Sequence, residues 1–153
     1  MATWKFRGLD TYIAQLERLD ANAEGSIKKA VYDGAAVVAN NIKTALNTIP
    51  VQEEFVPKGK MRKGITPEAK EGLVKGFGLA KMQNTGGYIN TKAGFKGKNP
   101  SGVNNATVAR QVESGTSWMQ KNPVIRQATN RSKKEAEKAM QKTLESEIKR
   151  LTT

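Results

Sequence analysis

The chain has 153 residues, 37% of them apolar and 26% charged, and its 26 Lys and Arg against 14 Asp and Glu give a formal net charge of +12. That is the length of one ordinary domain, too mixed in composition for a fibrous repeat, and no stretch approaches the roughly 18 consecutive apolar residues of a membrane-spanning helix. With no Cys and no His, disulfides, thiol nucleophiles, imidazole bases and nearly all structural zinc sites are excluded, and most familiar enzyme mechanisms go with them.

In chain order, Thr3, Trp4, Lys5, Phe6 and Arg7 alternate polar and apolar, which predicts a short strand broken at Gly8. The same residues lack the basic cluster and apolar run of a secretory signal, so the chain is expected to be cytoplasmic when made. Leu9 then precedes Asp10, expected as the N-cap of a helix whose stripe is Ile13, Leu16 and Leu19. Asp20 to Gly25 reads as a break. Ile27, Ala30, Val31, Gly34, Val38, Ile42, Ala45, Leu46 and Ile49 recur at three and four residues and predict a long helix over 26–49, ended by Pro50. Gly34 lies on that stripe, where its missing side chain could admit another element.

Val51 to Gly72 is polar and holds Pro57, Gly59, Gly64 and Pro67, which predicts a long loop without regular structure. Leu73 to Met82 and Tyr88 to Phe95 are expected strands of a hairpin around Asn84, Thr85, Gly86 and Gly87. A second loop follows through Lys98, Asn99, Pro100, Ser101 and Gly102. Ala106 to Val112 reads as a short helix or strand closed by Gly115. Asn122 and Pro123 open a helix expected over 123–151, with Ala128, Ala136, Met140, Leu144, Ile148 and Leu151 as its apolar face. Ser132 and Glu135 have capping-box spacing and offer a later start. The whole reads as one α+β domain over 1–153: an N-terminal strand and long helices at both ends, packed on a small antiparallel sheet with long basic loops.

Motifs for catalysis are weak. Gly59 and Gly64 have the separation of a phosphate loop, but Ile65 stands where the lysine must be. Gly76 and Gly78 resemble the start of a dinucleotide fingerprint without its third glycine. Glu53, Glu54, Glu68 and Glu71 lie in a polar, lysine-rich stretch and read as solvated charges. Ser114 and Ser117 have no histidine to act with. No catalytic residue, cofactor site or metal site is expected, and the chain reads as a non-enzyme.

The charge is unevenly placed. Residues 1–50 carry six basic and five acidic side chains, whereas Lys58 to Lys98 carry ten basic residues opposed by Glu68 and Glu71 alone. Lys58, Lys60, Arg62, Lys63, Lys75, Lys81, Lys92, Lys96 and Lys98 are therefore candidate contacts for DNA phosphate or an acidic protein partner. Phe77, Tyr88 and Phe95, interleaved with them, offer stacking platforms or ordinary packing. A sequence-reading motif such as a zinc finger or basic zipper is absent from the sequence, so any DNA contact is expected to be non-specific.

The order of signals resembles a known family. The Gly8, Leu9, Asp10 approach to a helix, the alanine-rich long helix, the glycine-rich hairpin, then Glu113, Gly115 and Thr116 followed by Pro123, Val124, Ile125, Arg126, Gln127 and Ala128 are similar to the small tail-completion, or head-tail joining, proteins of long-tailed double-stranded DNA phages. The likeness spans nearly the whole chain. Val51 to Gly72 is longer and more basic than the compact turn usual in that family, and Val124 and Ile125 stand in place of an aromatic and leucine. The resemblance implies a structural role in the neck or tail end of a virion or prophage-derived particle, made in the host cytoplasm. It further implies a homo-oligomeric ring, partners among connector, terminator and tail-tube proteins, no membrane and no catalysis. Gly8, Asp10, Glu113, Gly115, Thr116, Pro123 and Arg126 would be structural positions of the pattern. The rival reading is a basic nucleic-acid-binding module.

Overall fold

The computed structural model describes residues 7–20, 23–86 and 88–152. Its elements are a 3-10 turn at Arg7–Leu9, α1 (Asp10–Leu19), α2 (Glu24–Leu46), α3 (Pro67–Gly76), β1 (Phe77–Leu79), β2 (Gln83–Thr85), β3 (Tyr88–Asn90), β4 (Ala93–Phe95), α4 (Asn105–Ser114) and α5 (Val124–Thr152). The α+β class and the long helices towards both ends are as the sequence predicts. Where the sequence reads as one domain over 1–153, the chain groups into two compact units, each assembled from separate segments. One holds Met1–Val38, Leu79–Lys92 and Arg131–Thr153; the other holds Ala39–Gly78 and Ala93–Asn130. Both α2 and α5 contribute a stretch to each unit.

The first unit is held by the predicted stripes. Leu9, Leu16, Ala23, Ala30 and Leu144 form its buried cluster, with Tyr12, Ile13, Ile27, Met140, Ile148 and Leu151 packed around it. A Cβ on Gly34 would fall 2.6 Å from Met140 Cγ and 3.4 Å from the Ala136 carbonyl, so the missing side chain lets α5 approach α2, as the stripe implied. The N-terminal strand expected at Thr3 to Arg7 lies outside the described residues except for Arg7, which begins the 3-10 turn instead. Asp10 is not the N-cap. That position is Leu9, which has no capping side chain, and Asp10 contributes its charge within the first turn.

One buried ionic cluster joins three helical positions of this unit. The Glu147 side chain is 9% exposed. It accepts hydrogen bonds from Arg150 Nη2 at 2.8 Å, Lys29 Nζ at 3.1 Å and Ser26 Oγ at 3.0 Å. The Arg150 bond foremost, then that of Lys29, hold its carboxyl down from 4.5 to about 2 against the opposing cost of burial. A depressed pKa stabilises the fold fully above the ordinary carboxylate value and loses that contribution as pH falls through the folded one. Acid titration should therefore remove on the order of 1–3 kcal/mol between about pH 4.5 and 2. In Glu147→Gln that part of the acid transition should be flattened, and an unchanged acid profile would refute the coupling.

The hairpin differs from expectation in length and continuity. Leu73 to Gly76 are helical, so the first strand begins only at Phe77. Gln83, Asn84 and Thr85 pair antiparallel with Asn90, Ile89 and Tyr88. Further back, the Ala80 amide donates to the Lys92 carbonyl and the Lys96 amide to the Gly76 carbonyl, bringing β1 to β4. Between the two ladders the Thr91 hydroxyl donates to the Ala80 carbonyl at 2.8 Å. That side-chain bond replaces a ladder bond and breaks the expected continuous strand.

The second unit corrects the expected loop over 51–72. Residues 67–72 are the start of α3, set by Thr66 at the N-cap, whose hydroxyl accepts from the Ala69 amide, and by Pro67 in the first turn. Leu73 is fully buried on the inner face of that helix. The long helix expected over 26–49 ends at Leu46, with Asn47 to Ile49 in turns. Ala106 to Val112 proves helical, and Ser132 lies inside α5, so the later start is not used.

Candidate functional site

The part of the chain richest in basic side chains is a loop with a built stem. The Gln52 amide donates to the Ile65 carbonyl at 2.8 Å and the Ile65 amide to the Pro50 carbonyl at 2.9 Å. Gln52 Oε1 accepts from the Lys63 amide at 2.7 Å. Arg62 closes the ring: its Nη2 donates to the Gln52 carbonyl at 2.6 Å, and its backbone pairs with Trp118 and Gln120. A guanidinium so bonded fixes the loop stem and has fewer donors left for phosphate. Lys58, Lys60 and Lys63 are exposed and make no ion pair among the described residues.

The remaining candidate lysines are dispersed. Lys75 is 2.5 Å from Glu71, one turn back on α3. Lys96 and Lys98 are exposed beside a buried asparagine pair of the second unit, whereas Lys81 and Lys92 belong to the first unit. Phe77 is buried and its ring sits 5.3 Å from that of Phe95 at 53°. These two rings pack on each other, so they are core side chains and not free stacking platforms. The side chain of Tyr88 lies outside the described residues.

The residues that carry the family resemblance near the end of the chain occupy one corner of the second unit. Glu113, in the last turn of α4, accepts from the Ile125 amide at 2.7 Å and the Arg126 amide at 3.2 Å. It thereby caps α5 from outside, satisfying two amides that a helix start leaves without partners and placing negative charge at the positive end of the helix dipole. Gly115 follows with φ +73°, and a Cβ there would meet the Lys121 amide at 2.9 Å. Only glycine takes both constraints without strain. The Thr116 hydroxyl accepts from the Trp118 amide at 3.2 Å and its own amide donates to the Met119 carbonyl. Pro123 stands just before α5, its carbonyl accepting from Gln127. Arg126 contributes its backbone to the cap while its side chain is exposed. Gly8 and Asp10 belong to the first unit and take no part in this corner.

Replacing Glu113 by Ala should cost about 0.5–2 kcal/mol, the usual worth of a helix cap. Thermal melts of Glu113→Ala beside Arg126→Ala check this, since the arginine's part in the cap is its backbone alone. Equal melting of the two variants would refute the cap.

Chemistry of bond making finds no foothold here. Among the described residues no three Asp or Glu side chains are grouped to hold a metal. The depression beside α3 is lined by Val51, Pro67 and Val74, with Glu71 and Lys75 at its edge. What the geometry does offer is surface: three unpaired ammonium groups on a pinned loop, and beside them Phe55, Met61 and Trp118, large apolar side chains left exposed. Sequence reading passed over these three because an apolar residue carries no sign of whether it finds a partner in its own chain. No family model, curated protein or solved structure matches the chain.

Proposed function

We propose that this chain is a non-enzymatic structural subunit of a phage or prophage neck or tail end, completing the tail or joining it to the head. The reading rests on the resemblance, and one observation supports it above others: Glu113, Gly115, Thr116 and Pro123 form a single bonded corner that turns α4 into α5. A sequence pattern with a shared physical job is more than a coincidence of composition. The subunit would act in the virion as a homo-oligomeric ring against connector, terminator or tail-tube proteins, each contact repeated by the symmetry so that weak pairings sum.

Inactivating the gene in a phage that carries it should leave filled heads and finished tails unjoined in electron micrographs, with joining restored when the intact chain is supplied. Joined, infectious particles at normal yield would overturn the proposal. A second reading, non-specific DNA binding, is favoured by the unpaired Lys58, Lys60 and Lys63. Were these on phosphate, changing all three to Ala would reduce the log-log salt slope of DNA binding by about 0.9 for each phosphate no longer neutralised. An unchanged slope would dismiss that reading.

A further inference from the structure

The loop over residues 53–61 combines three features that a solvated charge run lacks. First, its base is fixed: Gln52 bonds to Arg62, Lys63 and Ile65, and the Arg62 and Met119 backbones form a parallel bridge. Secondly, its apolar side chains point to water. Phe55 is 89% exposed and Met61 and Trp118 are 50% exposed each. In a parallel pairing of Arg62 with Met119, the preceding residues Met61 and Trp118 stand side by side on the opposite face, while Met119 is buried beneath. Thirdly, Lys58, Lys60 and Lys63 surround this stretch in sequence without carboxylate partners among the described residues, and Glu53 and Glu54 are the loop's own acids.

We propose that the 53–61 loop, with Trp118 beside it, is a docking tip for a partner protein that presents an apolar cleft edged with carboxylates. Phe55, Met61 and Trp118 are the anchors, and the three lysines form the polar rim. Aromatic and methionine side chains at the centre with charge outside is the composition of energetically dominant interface patches. Holding the stem in place beforehand lowers the ordering cost of docking. Charge decides the partner's sign. Nucleic acid fits less well: duplex DNA offers no unstacked base for Phe55 or Trp118, and Met61 has no ring to stack. The surface follows from the loop's own residues and holds whether or not the chain serves in a phage neck.

The test is binding by the full chain, followed by fluorescence anisotropy, to labelled synthetic probes. One peptide has a Leu-Phe-Leu core flanked by glutamates, a second has the same core flanked by lysines, and a third has a Gly-Ser core flanked by glutamates. Single-stranded and duplex oligonucleotides complete the set. The first peptide should bind about tenfold more tightly than either other peptide, a difference of about 1.4 kcal/mol. Phe55→Ser should abolish most of that preference without altering the melting temperature, because the side chain is 89% exposed. Lys58→Glu, Lys60→Glu and Lys63→Glu together should reverse the choice between the first two peptides. Equal binding of the first and third peptides would reduce the surface to charge alone, and equal binding of the first two would reduce it to apolar adhesion. Either result overturns the proposal. So does tighter binding of an oligonucleotide that weakens in Phe55→Ser, which would assign the tip to nucleic acid.

Discussion

Leu144→Ala is expected to destabilise the chain by about 2–5 kcal/mol, the range for deleting a buried leucine side chain. Leu144 is 1% exposed and belongs to the cluster with Leu9, Leu16, Ala23 and Ala30. Two of those neighbours are alanines, already as short as a packing side chain can be, so they cannot reach into the space vacated. Helix backbones would have to move instead, and α2 and α5 are held in place by the Glu147 cluster and by Thr143, whose hydroxyl donates to Asp33. The loss should therefore fall towards the upper part of the range. Leu19→Ala is the control. Its side chain is 42% exposed, and its truncation should cost less than about 1 kcal/mol. Urea unfolding of both variants, read as a shift of midpoint at unchanged slope, measures the difference. Equal midpoints would remove Leu144 from the core.

The second large effect is a Gly→Ala change of the kind that usually helps a helix. At Gly72 in α3, an added Cβ would meet Asn105 Oδ1 at 2.3 Å, Asn99 Cβ at 2.6 Å and Asn99 Cα at 3.1 Å. Both asparagines are buried. Asn99 Oδ1 accepts from the Ser101 and Val103 amides, and Asn105 Nδ2 donates to the Lys96 carbonyl at 3.0 Å. Making room means giving up some of these bonds in a place water does not reach. Overpacking of about 1–3 kcal/mol together with one lost buried hydrogen bond of similar size outweighs the gain of about 1 kcal/mol from alanine's helix propensity. A net loss of about 2 kcal/mol or more is expected. At Gly25 in α2, where nothing lies within 4 Å of an added Cβ, the same substitution should stabilise by up to about 1 kcal/mol. Opposite signs for the two variants in thermal melts are the expected outcome. A stabilised Gly72→Ala would show that α3 does not pack on the asparagine pair.

Much of the helical architecture was legible in the chain because periodicity is a local property. The stripes through Leu16, Ala30, Ile42 and Leu144 mark faces that are indeed buried. The start of α3 was legible too, in Thr66 and Pro67, but the surrounding glycines, prolines and charges made the segment read as loop. Composition averages over a window, while a cap acts at one residue. Gly72 and Gly76 tell the same story from the other side. Each counts against regular structure in propensity, yet a Cβ at Gly76 would lie 2.6 Å from the Lys96 carbonyl, so their smallness is what allows the helix to pack there.

The candidate surface was legible only as a census of charge. Sequence supplied ten basic residues from Lys58 to Lys98, without saying that Lys75 is neutralised by Glu71, that Arg62 bonds the carbonyls of its own loop, or that Lys81 and Lys92 belong to a different unit. Those are consequences of which backbones come together, over separations that no local pattern encodes. By itself the sequence determined the class of fold, the two long amphipathic helices, the absence of His and Cys chemistry and the sign of the chain's charge. Tertiary structure alone decided that Glu113 caps a helix beginning about a dozen residues later, and that Phe55, Met61 and Trp118 are left in water. Hydrophobicity fixes a residue's tendency to leave solvent; which residues succeed depends on the space that the rest of the chain has already filled.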